Sequence, residues 1–150
     1  MHLELTKPVR VAAVQMEGRV ADIPFNLEQA EKLATEALDR RAKIVALPEF
    51  FTTPIAFDER LSGCALPPEN QGVDMLKRLA RRYAAYLGGS MLLRKGADVF
   101  NTYFFVQPDG RVFTHDKDIP TMWENAFYVG GTDDGVMETA LGPVGAAVCW

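Results

Sequence analysis

Lys43-Ile-Val-Ala-Leu-Pro-Glu49 decides the fold. Its apolar residues run unbroken from Ile44 to Leu47 until Pro48 stops them, and such a run reads as a strand buried on both faces. Glu49 follows at the carboxyl end of that strand. Upstream, residues 9–16 form a first strand, apolar except for Arg10 and Gln15. Pro8 suits its first position, where no ladder hydrogen bond is lost. Between the two strands, Leu27, Ala30, Leu33, Ala34, Ala37 and Leu38 recur at helical spacing. Glu28, Glu31, Lys32, Thr35, Asp39 and Arg40 take the remaining faces. Asp22-Ile-Pro24 is a turn, and Asn26, with Gln29 three residues on, is the expected N-cap. Strand, helix, strand is a βαβ unit, so the two strands are expected to be parallel with a right-handed crossover.

Working outward, residues 50–72 carry Thr52-Thr-Pro54, Gly63 and Pro67-Pro68 and read as a long loop, a length that usually serves function. A second amphipathic helix is expected from about Val73 to Tyr86, with a stripe of Val73, Leu76, Leu79, Ala80 and Tyr83. Its Lys77, Arg78, Arg81 and Arg82 form a solvated basic face. Three strands follow, over residues 87–93, 99–106 and 111–116, the last two joined by the turn Gln107-Pro-Asp-Gly110. Tight connections make these antiparallel, so the sheet is mixed and the fold class is α/β. After Asp116-Lys-Asp-Ile-Pro-Thr-Met-Trp-Glu-Asn125 comes an aromatic, glycine-rich loop, Phe127-Tyr-Val-Gly-Gly131. Residues 136–141 suggest a short strand. The last run, Gly142-Pro-Val-Gly-Ala-Ala-Val-Cys-Trp150, reads as another strand buried on both faces. Cys149 at its carboxyl end lies where open α/β sheets place their crevices. Alone, however, it reads as a buried structural thiol.

The chain has 150 residues, which by length is one domain, and 48% hydrophobic with 24% charged residues implies a packed core. A net charge of −4 without a long basic run argues against nucleic acid as a partner. No apolar segment approaches the ~18 residues needed to span a bilayer, and residues 1–8 lack the apolar core of a signal peptide. Two cysteines, Cys64 and Cys149, make no disulfide framework. A reduced, cytoplasmic protein is the expectation. Cys64, His2 and His115 lack metal-ligand spacing, and no metal site is expected.

Glu49, Lys117 and Cys149 all lie at or just beyond strand ends. In that order and in their local contexts they resemble the nitrilase superfamily of carbon–nitrogen hydrolases. The similarity rests on Val11-Ala-Ala-Val-Gln15, Ile44-Val-Ala-Leu-Pro-Glu-Phe50 and Gly88-Gly-Ser90. It continues through Asn101, Asp109-Gly110, His115-Asp-Lys-Asp-Ile-Pro-Thr121 and the terminal run to Trp150. The resemblance implies the amino-terminal half of a four-layer α-β-β-α sandwich, since the family fold is nearly twice as long. It also implies a small nitrile or amide substrate, no cofactor and a homo-oligomer. One departure concerns charge: the family commonly has arginine before the lysine, and here Asp116 stands there. Neighbouring strand residues point to opposite faces, so Asp116 is expected to face away from Lys117.

The chemistry suits the residue types. A cysteine is strongly nucleophilic even as a small thiolate fraction. Glu49, flanked by Pro48 and Phe50-Phe51, would take the thiol proton and later protonate departing ammonia. Lys117 would stabilise the tetrahedral anion and favour the thiolate, with the Trp150 N–H as a further oxyanion donor. The resemblance implies a thioimidate or thioester on Cys149. Glu124 stays open between a second catalytic glutamate, as the family often has, and the acid of a capping box with Thr121. Trp123 and Tyr128, with Phe127, are candidates for the substrate pocket or for the core. Two other readings remain: a truncated, non-catalytic half-domain that needs a partner chain, and an acyltransferase using the same three residues. For the first, a carboxylate terminus at Trp150 would oppose thiolate formation beside it.

Overall fold

In the computed structural model residues 8–149 are described, and the expectations for His2 and Trp150 fall outside the described residues. The elements are β1 (Val11–Ala13), α1 (Ile23–Asp39), β2 (Ile44–Ala46), α2 (Gln71–Tyr83), β3 (Tyr86–Lys95), β4 (Asp98–Val106), β5 (Val112–Asp116), β6 (Val136–Thr139) and β7 (Gly142–Gly145). Short 3-10 turns occupy Glu59–Gly63 and Met122–Ala126. Strands β1 to β5 form one sheet in chain order. The β1–β2 and β2–β3 pairs are parallel, while β3–β4 and β4–β5 are antiparallel. The sheet is therefore mixed, as the crossover and hairpin spacings require.

Side chains alternate across this sheet and divide the molecule. On one face, Leu87, Met91, Leu93, Phe104 and Val106 pack with Ala30, Ala34 and Leu38 of α1 and with Val73, Leu76 and Leu79 of α2. Burying each of these large apolar side chains stabilises the fold by about 1.5–3 kcal/mol. Alternate positions point the other way. Ser90 and Leu92 of β3 lie opposite Tyr103 and Asn101 of β4, and Tyr103 lies opposite His115 of β5. The apolar cluster on this second face holds only Phe50, Leu92 and Tyr128 among its buried residues. Polar side chains occupy much of the rest.

Several boundaries depart from the sequence reading. Asp22, not Asn26, caps α1, accepting from the Phe25 N–H at 3.2 Å. Pro24 is compatible with the first turn, where its missing N–H costs nothing. Asn26 is fully buried inside the helix and ties two loops together. It accepts from the Arg19 N–H at 2.7 Å and donates to the carbonyls of Arg19 at 2.7 Å and Thr52 at 2.9 Å. The Ala21 N–H donates to Thr53 Oγ1 at 2.9 Å, a second tie to the same loop. Helix α2 starts earlier than expected, capped by Asn70, and ends at Tyr83 with Ala84 left-handed, so Tyr86 opens β3. The ladder of β1 covers fewer residues than the apolar run suggested. The long loop is anchored where Leu66 bridges to Leu93 of β3.

The largest correction concerns the terminal run. Residues 142–149 are not a strand buried on both faces. Only Gly142–Gly145 is strand, and it pairs with β6 in a separate two-stranded sheet. Its residues alternate between intermediate and exposed, and Cys149 is exposed. Glycine and alanine fill this run, so its apolar continuity carries little area to bury. Pairing on one side only leaves the other open.

Replacing Asn26 with Ala removes three hydrogen bonds, one of them fully buried, and strands the Arg19 and Thr52 groups. Urea unfolding should report a loss of about 2–4 kcal/mol at unchanged m-value. A change below 0.5 kcal/mol, the scale of ordinary surface substitutions, would show that the loops are held by other contacts.

Candidate active site

The site grows from the second face of the sheet. Glu49 stands three residues past β2 on a turn whose next residue, Phe50, has φ +58°. Ser90 of β3 holds that turn: its Oγ accepts from the Phe50 N–H and its carbonyl from the Phe51 N–H, each at 3.0 Å. The carboxylate is thereby directed over β4. Its Oε1 accepts from Asn101 Nδ2 at 2.8 Å and from Lys117 Nζ at 3.1 Å.

Lys117 extends the β5 ladder by one residue, its N–H donating to the Asn101 carbonyl at 2.9 Å. Its side chain is 1% exposed. A buried ammonium is tolerated only when paired and hydrogen-bonded, and two carboxylates meet it. Besides Glu49, Glu124 Oε2 accepts from Nζ at 2.9 Å. The same oxygen accepts from the Thr121 N–H at 2.7 Å and the Tyr128 hydroxyl at 2.5 Å. Glu124 is thus the acid of the capping box with Thr121, and it also pairs with the buried lysine. Gly131 closes the shell from behind, its N–H donating to the Lys117 carbonyl at 2.9 Å. A Cβ there would lie 2.5 Å from the Asp116 carbonyl oxygen, so only glycine permits this approach.

Burial works against the Lys117 charge, yet Glu124, Tyr128 and Glu49 outweigh it and hold the ammonium above its ordinary value. For Glu124, burial pushes the carboxyl up, while Tyr128, Thr121 and Lys117 together bring it below its usual range. Burial and the Glu124 carboxylate raise the Tyr128 phenol. The lysine is therefore a fixed cation at neutral pH.

Cys149 lines a cavity of about 220 Å³ with Leu47, Glu49, Ser90, Tyr103, Ala147 and Val148. Thiol and Glu49 share this space, and Lys117 joins them through its bond to Glu49. A wider cavity of about 350 Å³ between β1 and α1 holds no cysteine and lies away from this chemistry. Cys149 has φ +65°, and with Phe50 and Met122 at φ +50° it gives the site three non-glycine residues in left-handed backbone. Such conformations cost about 1–3 kcal/mol each and cluster at active sites.

The other sequence candidates separate. Tyr128 is buried and acts through its hydroxyl. Trp123 is 37% exposed and stacks edge-on with Phe57 and Phe127, and it is not part of the cavity wall around Cys149. Asp116 faces away from Lys117 as expected, pairing with Lys95 Nζ at 2.6 Å and accepting from Thr102 Oγ1 at 2.6 Å. Cys64 is buried and accepted into no shared site; burial raises its thiol. His115 Nδ1 lies 2.5 Å from Asp133 Oδ1, bracing the loop behind Lys117. Among the described residues no cluster of three or more His, Cys, Asp or Glu could hold a metal ion, and no helix is long and apolar enough to cross a membrane. Sequence reasoning gave no role to Ser90, Tyr103 or the Asn101 side chain. The signal available was polarity at positions where β3 and β4 are otherwise apolar.

The sequence model of the carbon-nitrogen hydrolase family matches residues 10–150. A bifunctional nitrilase/nitrile hydratase of Lupinus angustifolius is 31% identical over 95% of this chain and 47% of its own length. Nitrilase 3 of Arabidopsis thaliana is 30% identical over 95% of this chain and 47% of its own length. Among solved structures, a Saccharomyces cerevisiae member of branch 10 of the nitrilase superfamily superposes with a TM-score of 0.82 at 27% identity, covering 94% of this chain and 55% of that one. A CN-hydrolase superfamily protein of Xanthomonas campestris gives a TM-score of 0.75 at 25% identity, covering 89% of this chain and 50% of that one. The chain spans about half the length of the curated relatives it matches.

Because the folded Glu124 carboxyl lies below its ordinary value, its contribution to stability is complete above that ordinary value. It is lost as pH falls through the lowered folded value. Unfolding free energies measured from pH 6 down to pH 2.5 should therefore fall more steeply for the wild type than for Glu124→Gln. Parallel curves would show that Glu124 is not ionised in the folded chain.

Proposed function

We propose an activity from the premise that this chain belongs to the carbon–nitrogen hydrolase family, whose sequence model spans residues 10–150. The activity is hydrolysis of the carbon–nitrogen bond of a small nitrile or amide through a covalent intermediate on Cys149. The observation that carries it is a thiol and a carboxylate lining one cavity, with that carboxylate bonded to a buried lysine.

In this reading Glu49 takes the proton from the Cys149 thiol, and the thiolate forms a carbon–sulfur bond with the substrate carbon. With an amide, the developing oxyanion is stabilised by the Lys117 charge. The carbon–nitrogen bond then breaks, and ammonia leaves with the proton held by Glu49. Water, giving its proton to Glu49, attacks the resulting thioester. The carbon–sulfur bond breaks, the acid departs and the proton returns to sulfur. With a nitrile, attack gives a thioimidate, and water adds before ammonia leaves. Glu124 keeps Lys117 charged and in place through both half-reactions. The names of the curated relatives, nitrilases and nitrilase/nitrile hydratases, favour a nitrile. The exposed Trp123, with Phe57 and Phe127, would meet the apolar part of a substrate entering from outside.

Ammonia release and intact-mass adducts, followed over a panel of small nitriles and amides, test the proposal. Cys149→Ala should abolish the adduct and lower ammonia release at least about 10³-fold, and Glu49→Gln and Lys117→Met should each do so by about 10²–10⁴-fold. Undiminished turnover in Cys149→Ala, or no adduct from any member of the panel, would overturn the assignment.

A further inference from the structure

We propose that Asn101 is a positioning residue that, with Lys117, fixes Glu49 Oε1 and so makes Oε2 the oxygen that exchanges the proton with Cys149. The inference rests on the activity proposed above and deepens it.

Asn101 sits in β4, in the run Val99-Phe-Asn-Thr-Tyr-Phe-Phe-Val106, where its neighbours are the aromatic and β-branched residues that strands favour. Asparagine is depleted in strands, and the ladder here uses only its backbone. Its side chain is fully buried, and its Oδ1 has no hydrogen-bond partner. Fold stability alone does not account for a buried amide with an orphaned oxygen, because an apolar side chain would avoid that cost. What the amide does contribute is the 2.8 Å bond from Nδ2 to Glu49 Oε1. An ionised carboxylate only accepts, so the amide must turn its NH2 to Glu49 and leave its oxygen unpaired in the interior.

Two donors therefore converge on one carboxylate oxygen: Asn101 Nδ2 at 2.8 Å and Lys117 Nζ at 3.1 Å. The Asn101 carbonyl also holds the Lys117 N–H, so one residue sets the position of both partners. Among the described residues no donor pairs with Oε2, and Glu49 lines the cavity that contains Cys149. The locked oxygen also suits both protonation states. When the S–H bond breaks and an O–H bond forms on Oε2, Oε1 becomes the carbonyl oxygen of a neutral carboxyl and still accepts from both donors. Nothing in the pair has to move during proton transfer, which is the preorganisation that lowers a barrier. The groups around Glu49 are Ser90 of β3, Asn101 and Tyr103 of β4, Lys117 after β5, and Cys149. Glu124 and Tyr128 lie behind Lys117.

The test compares wild type, Asn101→Leu and the isosteric Asn101→Asp in the 150-residue chain. Its readout is the pH dependence of Cys149 alkylation by iodoacetamide, with peptide mapping to separate Cys149 from Cys64. Losing the donor makes the carboxylate hold its proton more tightly, and a second carboxylate does so further. The acidic limb of the profile should move to higher pH by about one unit in Asn101→Leu and by more in Asn101→Asp. Thermal unfolding run alongside reports folding, and the isosteric variant serves if Asn101→Leu does not fold. Coincident limbs in folded variants, with only the melting temperature lowered, would overturn the proposal and leave Asn101 as a structural residue. A normal wild-type profile without ammonia release would instead strike at the proposed activity, so the two failures are distinguishable.

Discussion

The rest of the structure depends on one buried cation. The ammonium of Lys117, 1% exposed, sits between Glu49 and Glu124. Removing a charge from water costs several kcal/mol even after the protein relaxes, and only close counter-charges with full hydrogen bonding offset it. The surrounding sequence meets that demand point by point. Thr121 and Tyr128 satisfy the far carboxylate, Asn101 shares the near one, and Gly131 allows the loop behind to approach. Two carboxylates around one ammonium leave the cluster negative by one. In the proposed reaction, a proton moving from Cys149 to Glu49 transfers that excess charge to sulfur without changing the total charge.

The sheet separates what stabilises the chain from what acts. Its helix-covered face is closed by apolar packing, while the face opposite carries Ser90, Asn101 and Tyr103 beside Glu49 and Lys117. Alternation along β5 enforces the division between adjacent residues. Asp116 goes to Lys95 and Thr102, and Lys117 goes to the carboxylates. An acidic residue directly before the lysine is therefore harmless to it, because the pleat points the two apart.

Much of this was legible in the sequence, for reasons that differ by element. The α1 stripe of Ala30, Ala34 and Leu38 and the Gln107–Gly110 turn are local signals, and both elements form where period and turn chemistry put them. Glu49 and Lys117 stood out because each lies just beyond a strand, three residues past β2 and one past β5. The terminal run misled because its glycines and alanines look continuous in hydropathy yet bury little. Asn26 misled because a capping residue and a buried tie between loops use the same side-chain amide; the Arg19 and Thr52 groups that decide between them are distant in sequence. Asn101 showed the same limit. Its pairing with Glu49 spans 52 positions, and the registers of β2 with β3 and of β3 with β4 bring the two together.

That register also explains how the site tolerates its own strain. Phe50, Met122 and Cys149 all hold left-handed backbone that no glycine relieves. For two of them the restraint is visible. The Ser90 hydroxyl and carbonyl fix the Phe50 turn, and the Glu124 carboxylate with its Thr121 bond closes the turn containing Met122. Ser90 can serve because β4 and β2 hold β3 on both sides over its first residues. Glu124 can serve because Lys117 anchors it. Cys149 differs: it is exposed, on the segment that follows β7. The well-tied part of the site is thus the Glu49–Lys117–Glu124 cluster, and Cys149 comes to it on the segment that follows β7. Segments with few buried contacts open at the lowest free-energy cost. Small changes in the packing of β6 and β7 therefore alter the position of Cys149 in the cavity it shares with Glu49 before they disturb the charge cluster itself.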